Sequence, residues 1–224
     1  LRLGRPKTLR SFKALNGCTV EEVIFGELGL SSYLIMPNGP FTSQRAVIYL
    51  NETRTKEGAL TSKAVQWLMS EKVPVLALDL VATSYSNDID TLIGMSATGV
   101  NINHVLESVE YLLRRPDIDA KNLTCIGEVD DVALYTAILE ERIHEVFLIG
   151  EGGRERLETW PVEWANERWE GVVPNICSVG ERQALLAAVA PRLLHLMFEE
   201  DIDKVEYIYA LYSAHRNLIF PKAK

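Results

Sequence analysis

The sequence predicts an α/β fold, a mostly parallel sheet covered on both faces by helices, and three observations carry that expectation. Short apolar runs recur at 46–50, 73–80, 123–126, 145–149 and 193–198, the first with β-branched residues, as in strands buried on both faces. Between them, 60–70, 100–113, 132–139, 182–189 and 205–213 place apolar residues at helical spacing. The alternation of the two patterns favours right-handed strand-helix-strand crossovers over a sandwich or a bundle.

Each element follows from its local chemistry. Residues 19–28 and 30–36 are β-rich runs separated by Gly29 and followed by Pro37-Asn38-Gly39-Pro40, which predicts an antiparallel hairpin forming one sheet edge. After the strand at 46–50 comes a polar loop, 51–58, and then a helix with Leu60, Ala64, Trp67 and Leu68 on its apolar stripe. The strand at 73–80 runs to Asp79, and a loop rich in Ser, Thr and Asn, 81–99, leads to a helix carrying Ile102, Val105, Val109 and Leu112. The strand at 123–126 meets Gly127 and passes directly into the helix at 132–139. Beyond a Gly- and Trp-rich stretch, 150–171, lie the helix at 182–189, the strand at 193–198, a helix at 205–213 and a final strand at 218–220.

Composition bounds the function. The 224 residues fit one domain, 1–224; the opening at Leu1 without Met is read as a mature protein, a trimmed chain or a domain cut from a larger multidomain protein. A hydrophobic fraction of 47% with 24% charged residues excludes a disordered or coiled-coil chain. With 23 Lys and Arg against 31 Asp and Glu, the net charge of -8 argues against a nucleic-acid partner. The apolar runs 184–190 and 193–198 are interrupted by Pro191-Arg192 and fall short of the ~20 residues of a membrane span. Cys18, Cys125 and Cys177 form no C-x-x-C pair and are odd in number, so neither a disulfide scaffold nor a zinc site is expected.

The junction at Gly127 carries the functional reading. Val105 to Leu112, the turn Arg115-Pro116-Asp117-Ile118-Asp119 ahead of the strand, and Ala190-Pro191-Arg192 ahead of 193–198 together resemble the α/β-hydrolase superfamily, in its acetyl xylan esterase and dienelactone hydrolase branch. The resemblance spans roughly 20–220. It implies a three-layer sandwich with an antiparallel N-terminal hairpin at the edge. It also implies ester hydrolysis by a Ser held in a G-x-S-x-G turn beside an oxyanion hole of backbone N–H groups. The string at this junction is Gly127-Glu128-Val129-Asp130-Asp131. Val129 holds the nucleophile position, where an isopropyl group attacks nothing, and Asp131 replaces the last Gly.

The other implied positions also depart from the pattern. Glu199, Glu200 and Asp201 follow the strand at 193–198, with Glu200 the candidate acid, but three acids after a strand read equally as a solvated loop. Only Pro221-Lys222-Ala223-Lys224 follow the last strand, and His215 precedes it as a helix-end residue. Asp130 is the candidate for a carboxylate nucleophile; it is one residue out of register, and Asp130 and Asp131 read more simply as the start of a helix. Cys125 reads as a buried thiol. Ser96, in Gly94-Met95-Ser96-Ala97-Thr98-Gly99, has no strand before it. Gly150-Glu151-Gly152-Gly153 lacks the order and the Lys of a phosphate loop. His104, His144 and His195 have no metal-ligand spacing, and neither metal nor cofactor is expected. Trp160, Trp164 and Trp169 with Tyr207, Tyr209 and Tyr212 read as a lid or interface, or as a sugar-stacking surface.

Two functions are therefore expected. The first is a catalytically degenerate α/β-hydrolase-fold domain used for scaffolding, for an interface with a catalytic sister domain or a second copy, or for carbohydrate contact. The alternative is an active carboxylic ester hydrolase with a non-standard nucleophile. The esterase resemblance implies a secreted or periplasmic setting; the compartment itself is not legible.

Overall fold

The computed structural model describes residues 6–14, 17–26, 29–39, 45–51, 55–81, 96–118, 120–128, 130–149, 182–197 and 203–219. Its strands are β1 (Lys7–Lys13), β2 (Thr19–Phe25), β3 (Leu30–Met36), β4 (Arg45–Leu50), β5 (Val75–Leu78), β6 (Asn122–Gly127), β7 (Ile143–Leu148), β8 (Leu193–Leu196) and β9 (Leu218–Ile219). The helices are α1 (Lys56–Thr61), α2 (Lys63–Ser70), α3 (Ala97–Arg114), α4 (Asp130–Leu139), α5 (Arg182–Ala187) and α6 (Asp203–Leu211). The strands form one sheet in the order β1-β2-β3-β5-β4-β6-β7-β8-β9.

The hairpin of β2 and β3 pairs in register from Thr19 opposite Met36 to Phe25 opposite Leu30. Gly29 in its turn has φ +66, a left-handed conformation that glycine adopts without steric cost. The antiparallel N-terminal strands lie at the sheet edge, as expected, and number one more than the hairpin. β1 pairs outside β2, antiparallel to it. Its residues are nearly all exposed, so it lacks the apolar signal by which a strand is read from sequence.

From β5 onward the sheet is parallel: β4 pairs with β5 on one side and β6 on the other, and β7, β8 and β9 follow. The chain thus builds outward from β4 first in one direction and then in the other. That reversal makes the carboxyl ends of β4 and β6 a topological switch point, the place where open α/β sheets bind ligands.

Two cores cover the sheet. On one face Val105, Val109 and Leu112 of α3, Leu134 of α4, Leu186 of α5 and Tyr209 of α6 pack on Ile48, Leu76, Cys125 and Val146. On the other, Val65, Leu68 and Met69 of α2 pack on Val47, Tyr49, Val75 and Ala77. Full burial of one such side chain stabilises by about 1.5–3 kcal/mol. Arg115, just past α3, fastens that helix to the hairpin by donating 2.7 and 3.1 Å bonds to the two Glu21 oxygens. It also donates 2.7 and 2.6 Å bonds to Asp117.

The single helix expected at 60–70 is two helices. Ser62, with φ -65 and ψ 130, is extended and separates α1 from α2. Within α2 the buried stripe is Val65, Leu68 and Met69, and Trp67 lies on the opposite side, 58% exposed. The loop expected over 51–58 likewise ends early, because Thr55 caps α1 through a 3.3 Å bond from the Gly58 N–H. No helix of the described residues is long and apolar enough to cross a membrane.

Candidate functional site

The switch point lies at the carboxyl ends of β4 and β6. The Glu128 N–H donates to the Leu50 carbonyl at 2.9 Å, and the Ile149 N–H donates to the Gly127 carbonyl at 2.9 Å. The parallel ladder is therefore complete to Gly127, and α4 begins only three residues later, at Asp130. This is the tight strand-to-helix junction that the sequence placed here.

The polar group described at this junction is the Glu128 carboxylate, and it is tied to the neighbouring strand. The Tyr49 hydroxyl donates to one of its oxygens. Asn51 Nδ2 donates to the other at 3.3 Å. Tyr49 is fully buried, and burial, then the bond to Glu128, pushes its hydroxyl up to about 12. It stays a protonated donor through the neutral range. Its oxygen also shares a 2.9 Å hydrogen bond with Ser62, linking the junction to the break between α1 and α2.

The remaining sequence candidates separate. Asp130 opens α4 and Asp131 is buried in its first turn. Val129 lies between the described residues Glu128 and Asp130. Glu199, Glu200, Asp201, Gly150 to Gly153 and the three tryptophans Trp160, Trp164 and Trp169 lie outside the described residues. His215 begins a 3₁₀ turn, His215–Asn217, directly before β9. Ser96 is the N-cap of α3, its Oγ accepting from the Gly99 N–H at 3.0 Å. Cys125 is wholly buried, which pushes its thiol up to about 12. Tyr207 and Tyr212 are exposed, but Tyr209 belongs to the core and donates to the Arg192 carbonyl at 3.0 Å; it is no part of an aromatic surface.

A second polar cluster, invisible in the sequence, sits at the end of β5. His104 of α3 bonds through Nδ1 to the Asp79 carbonyl at 3.1 Å and through Nε2 to Ser32 Oγ at 3.0 Å. A carbonyl only accepts, so Nδ1 carries the proton and Nε2 accepts from the serine. The hydroxyl-imidazole-oxygen order is that of an activated nucleophile. Yet Ser32 is 0% and His104 1% exposed, so no ester reaches them. Burial lowers His104 to about 4, and the ring is a neutral staple between β3, β5 and α3.

The Asp79 side chain serves Lys56 instead. Its Oδ1 accepts from the Lys56 backbone N–H at 2.7 Å, and its Oδ2 accepts from Lys56 Nζ at 2.7 Å and from Ser31 Oγ at 3.0 Å. Glu57 and Glu22 lie 3.4 and 3.5 Å from the same ammonium. Burial opposes the charge, but these carboxylates outweigh it and raise Lys56 above its usual value. Lys56 is thus a fixed cation rather than a base for Ser31.

A third cluster crosses the strands on the face that α1 and α2 share. Arg45 and Thr124 converge on one Glu145 oxygen. His195 bonds to the other at 3.0 Å and stacks on Phe147 with centroids 3.8 Å apart. Among the described residues no group of three His, Cys, Asp or Glu side chains is placed to hold a metal ion.

No protein-family model matches the chain, and no curated protein matches it in sequence. Solved structures do. An acetyl xylan esterase candidate from Bacteroides fragilis superposes with a TM-score of 0.81 at 15% identity, covering 100% of this chain and 71% of that one. A glucuronoyl esterase from Solibacter usitatus gives 0.66 at 14% identity, covering 95% and 74%. An acetyl xylan esterase from Paenibacillus sp. R4 gives 0.60 at 13% identity, covering 97% and 81%. At such identities the likeness establishes the fold alone, an α/β-hydrolase-like sheet.

Proposed function

We propose that this chain is a catalytically silent α/β-hydrolase-fold module, kept as a scaffold for a catalytic partner or for carbohydrate contact. The observation that carries the reading is the junction between Gly127 of β6 and Asp130 of α4. The two residues between them are Glu128 and Val129, so the turn that presents a hydroxyl in such esterases presents none here. The Glu128 carboxylate is occupied by Tyr49 and Asn51, and Ser96, the other sequence candidate, is occupied as a helix cap. An acyl transfer needs an accessible nucleophile within reach of a base and of oxyanion donors, and none of the clusters among the described residues supplies the set.

Labelling with a fluorophosphonate, which esterifies activated serines, tests this. The native protein is expected to stay unlabelled beside an active esterase that labels fully. A stoichiometric adduct lost on denaturation before labelling, and mapped to any serine, overturns the proposal.

A further inference from the structure

The outermost strand of the sheet carries a charge opposite to that of the chain. The first 20 residues hold five of the 23 Lys and Arg, namely Arg2, Arg5, Lys7, Arg10 and Lys13, and none of the 31 Asp and Glu, in a chain of net charge -8. Three of them lie on β1, whose 7 residues are exposed except for half-buried Phe12. The acids behind it on β2 are engaged: Glu21 with Arg115 at 2.7 Å, and Glu22 with Arg10 at 2.5 Å and Lys56 at 3.5 Å. Arg10 itself remains 64% exposed.

β1 also offers an unused template. One side pairs with β2, and among the described residues nothing pairs with the other. The opposite sheet edge, β9, has only 2 residues. An edge of this length presents a row of N–H and C=O groups to which an extended chain adds by backbone pairing. Leu9, at the bulge between Thr8 and Arg10, stands 57% exposed and supplies an apolar contact.

The geometry points to β1 as the docking edge for an acidic, extended polypeptide segment of a partner protein, added as a further strand. Charge decides between occupants. A second copy pairing antiparallel about Arg10 would set Lys7 against Lys13 and Arg10 against itself, which like-charge cross-strand pairs disfavour. The same cations that repel this chain's own edge attract an acidic strand, and the acidic remainder of the surface steers that strand away from other sites.

The test is fluorescence polarisation with a labelled heptapeptide alternating Glu and Val. Controls are its Lys-Val counterpart and a version N-methylated at alternate backbone positions. The Glu-Val peptide is expected to bind saturably, the Lys-Val peptide not at all, and N-methylation to weaken binding by about tenfold or more. Lys7→Glu with Lys13→Glu is expected to weaken it by about tenfold or more; Lys7→Ala with Lys13→Ala, which adds no repulsion, weakens it less. Both pairs are exposed, and an unchanged circular dichroism spectrum checks their folding. Absent saturable binding, an N-methylated peptide that binds equally well, or binding indifferent to both variants overturns the proposal.

Discussion

Replacing His104 with Gln removes one buried titration while leaving a donor for the Asp79 carbonyl and an acceptor for Ser32. His104 has a value of about 4 in the folded protein against 6.5 when unperturbed, because burial disfavours the imidazolium. Below pH 6.5 the unfolded chain binds a proton that the folded chain refuses until about pH 4. Stability from this residue is therefore whole above pH 6.5 and falls as the pH drops, by ~1.4 kcal/mol per unit and about 3 kcal/mol in all. For a domain of this size that is about 6–12 °C in melting temperature.

Other groups titrate nearby. Asp117 and Glu140 are lowered, chiefly by Arg115 and Arg142; burial opposes the lowering of Glu145, but His195, Arg45 and Thr124 together outweigh it; all three lose their contributions only below the usual carboxylate range. Glu107, raised by burial, works in the opposite sense. The difference between wild type and His104→Gln cancels these terms. Urea unfolding of both proteins from pH 7.5 to 4.5 is expected to show wild type losing ground steadily below pH 6.5. Parallel curves, or a His104 ring signal that titrates near 6.5 in the native protein, refute the reasoning.

Three further outcomes follow from the same geometry. Tyr49→Phe removes the donor to Glu128 and is expected to cost about 1.5–3 kcal/mol by urea unfolding; in a double-mutant cycle with Glu128→Gln the two losses are less than additive. Arg115→Ala separates α3 from Glu21 at a cost of about 1–3 kcal/mol, and Arg115→Lys recovers little of it because an ammonium does not reproduce the two-pronged contact. Cys125, buried and pushed up to about 12, is expected to resist iodoacetamide at pH 8 in the native protein and to alkylate once unfolded, read by peptide mass spectrometry.

The parallel strands and the helices on them are legible because burial on both faces writes apolar runs at β4, β5 and β6. The junction at Gly127 was legible because it is local: strand, turn and helix are consecutive, so the place of Val129 follows from the string alone. β1 was not, since an exposed edge strand of Lys, Thr, Arg and Ser carries no apolar pattern. The split at Ser62 hides behind a stripe that spans it, and Trp67 is exposed because α2 turns Val65, Leu68 and Met69 to the core instead. The cluster around His104 unites residues from β3, β5 and α3; Ser32 and His104 are 72 positions apart, and nothing in either neighbourhood announces the other. Proximity in sequence groups Tyr209 with Tyr207 and Tyr212, but the fold turns Tyr209 to the core while its neighbours face water.

A fold shared with esterases supplies a platform, and chemistry resides in the groups placed on it. Here the side chains described at the switch point, Tyr49, Asn51 and Glu128, bond to one another. The most direct test is hydrolysis of p-nitrophenyl acetate by purified protein beside an active esterase, with Asp130→Ala run in parallel. The account predicts that wild type and variant both match buffer; turnover well above buffer that Asp130→Ala abolishes would contradict it and make Asp130 the nucleophile.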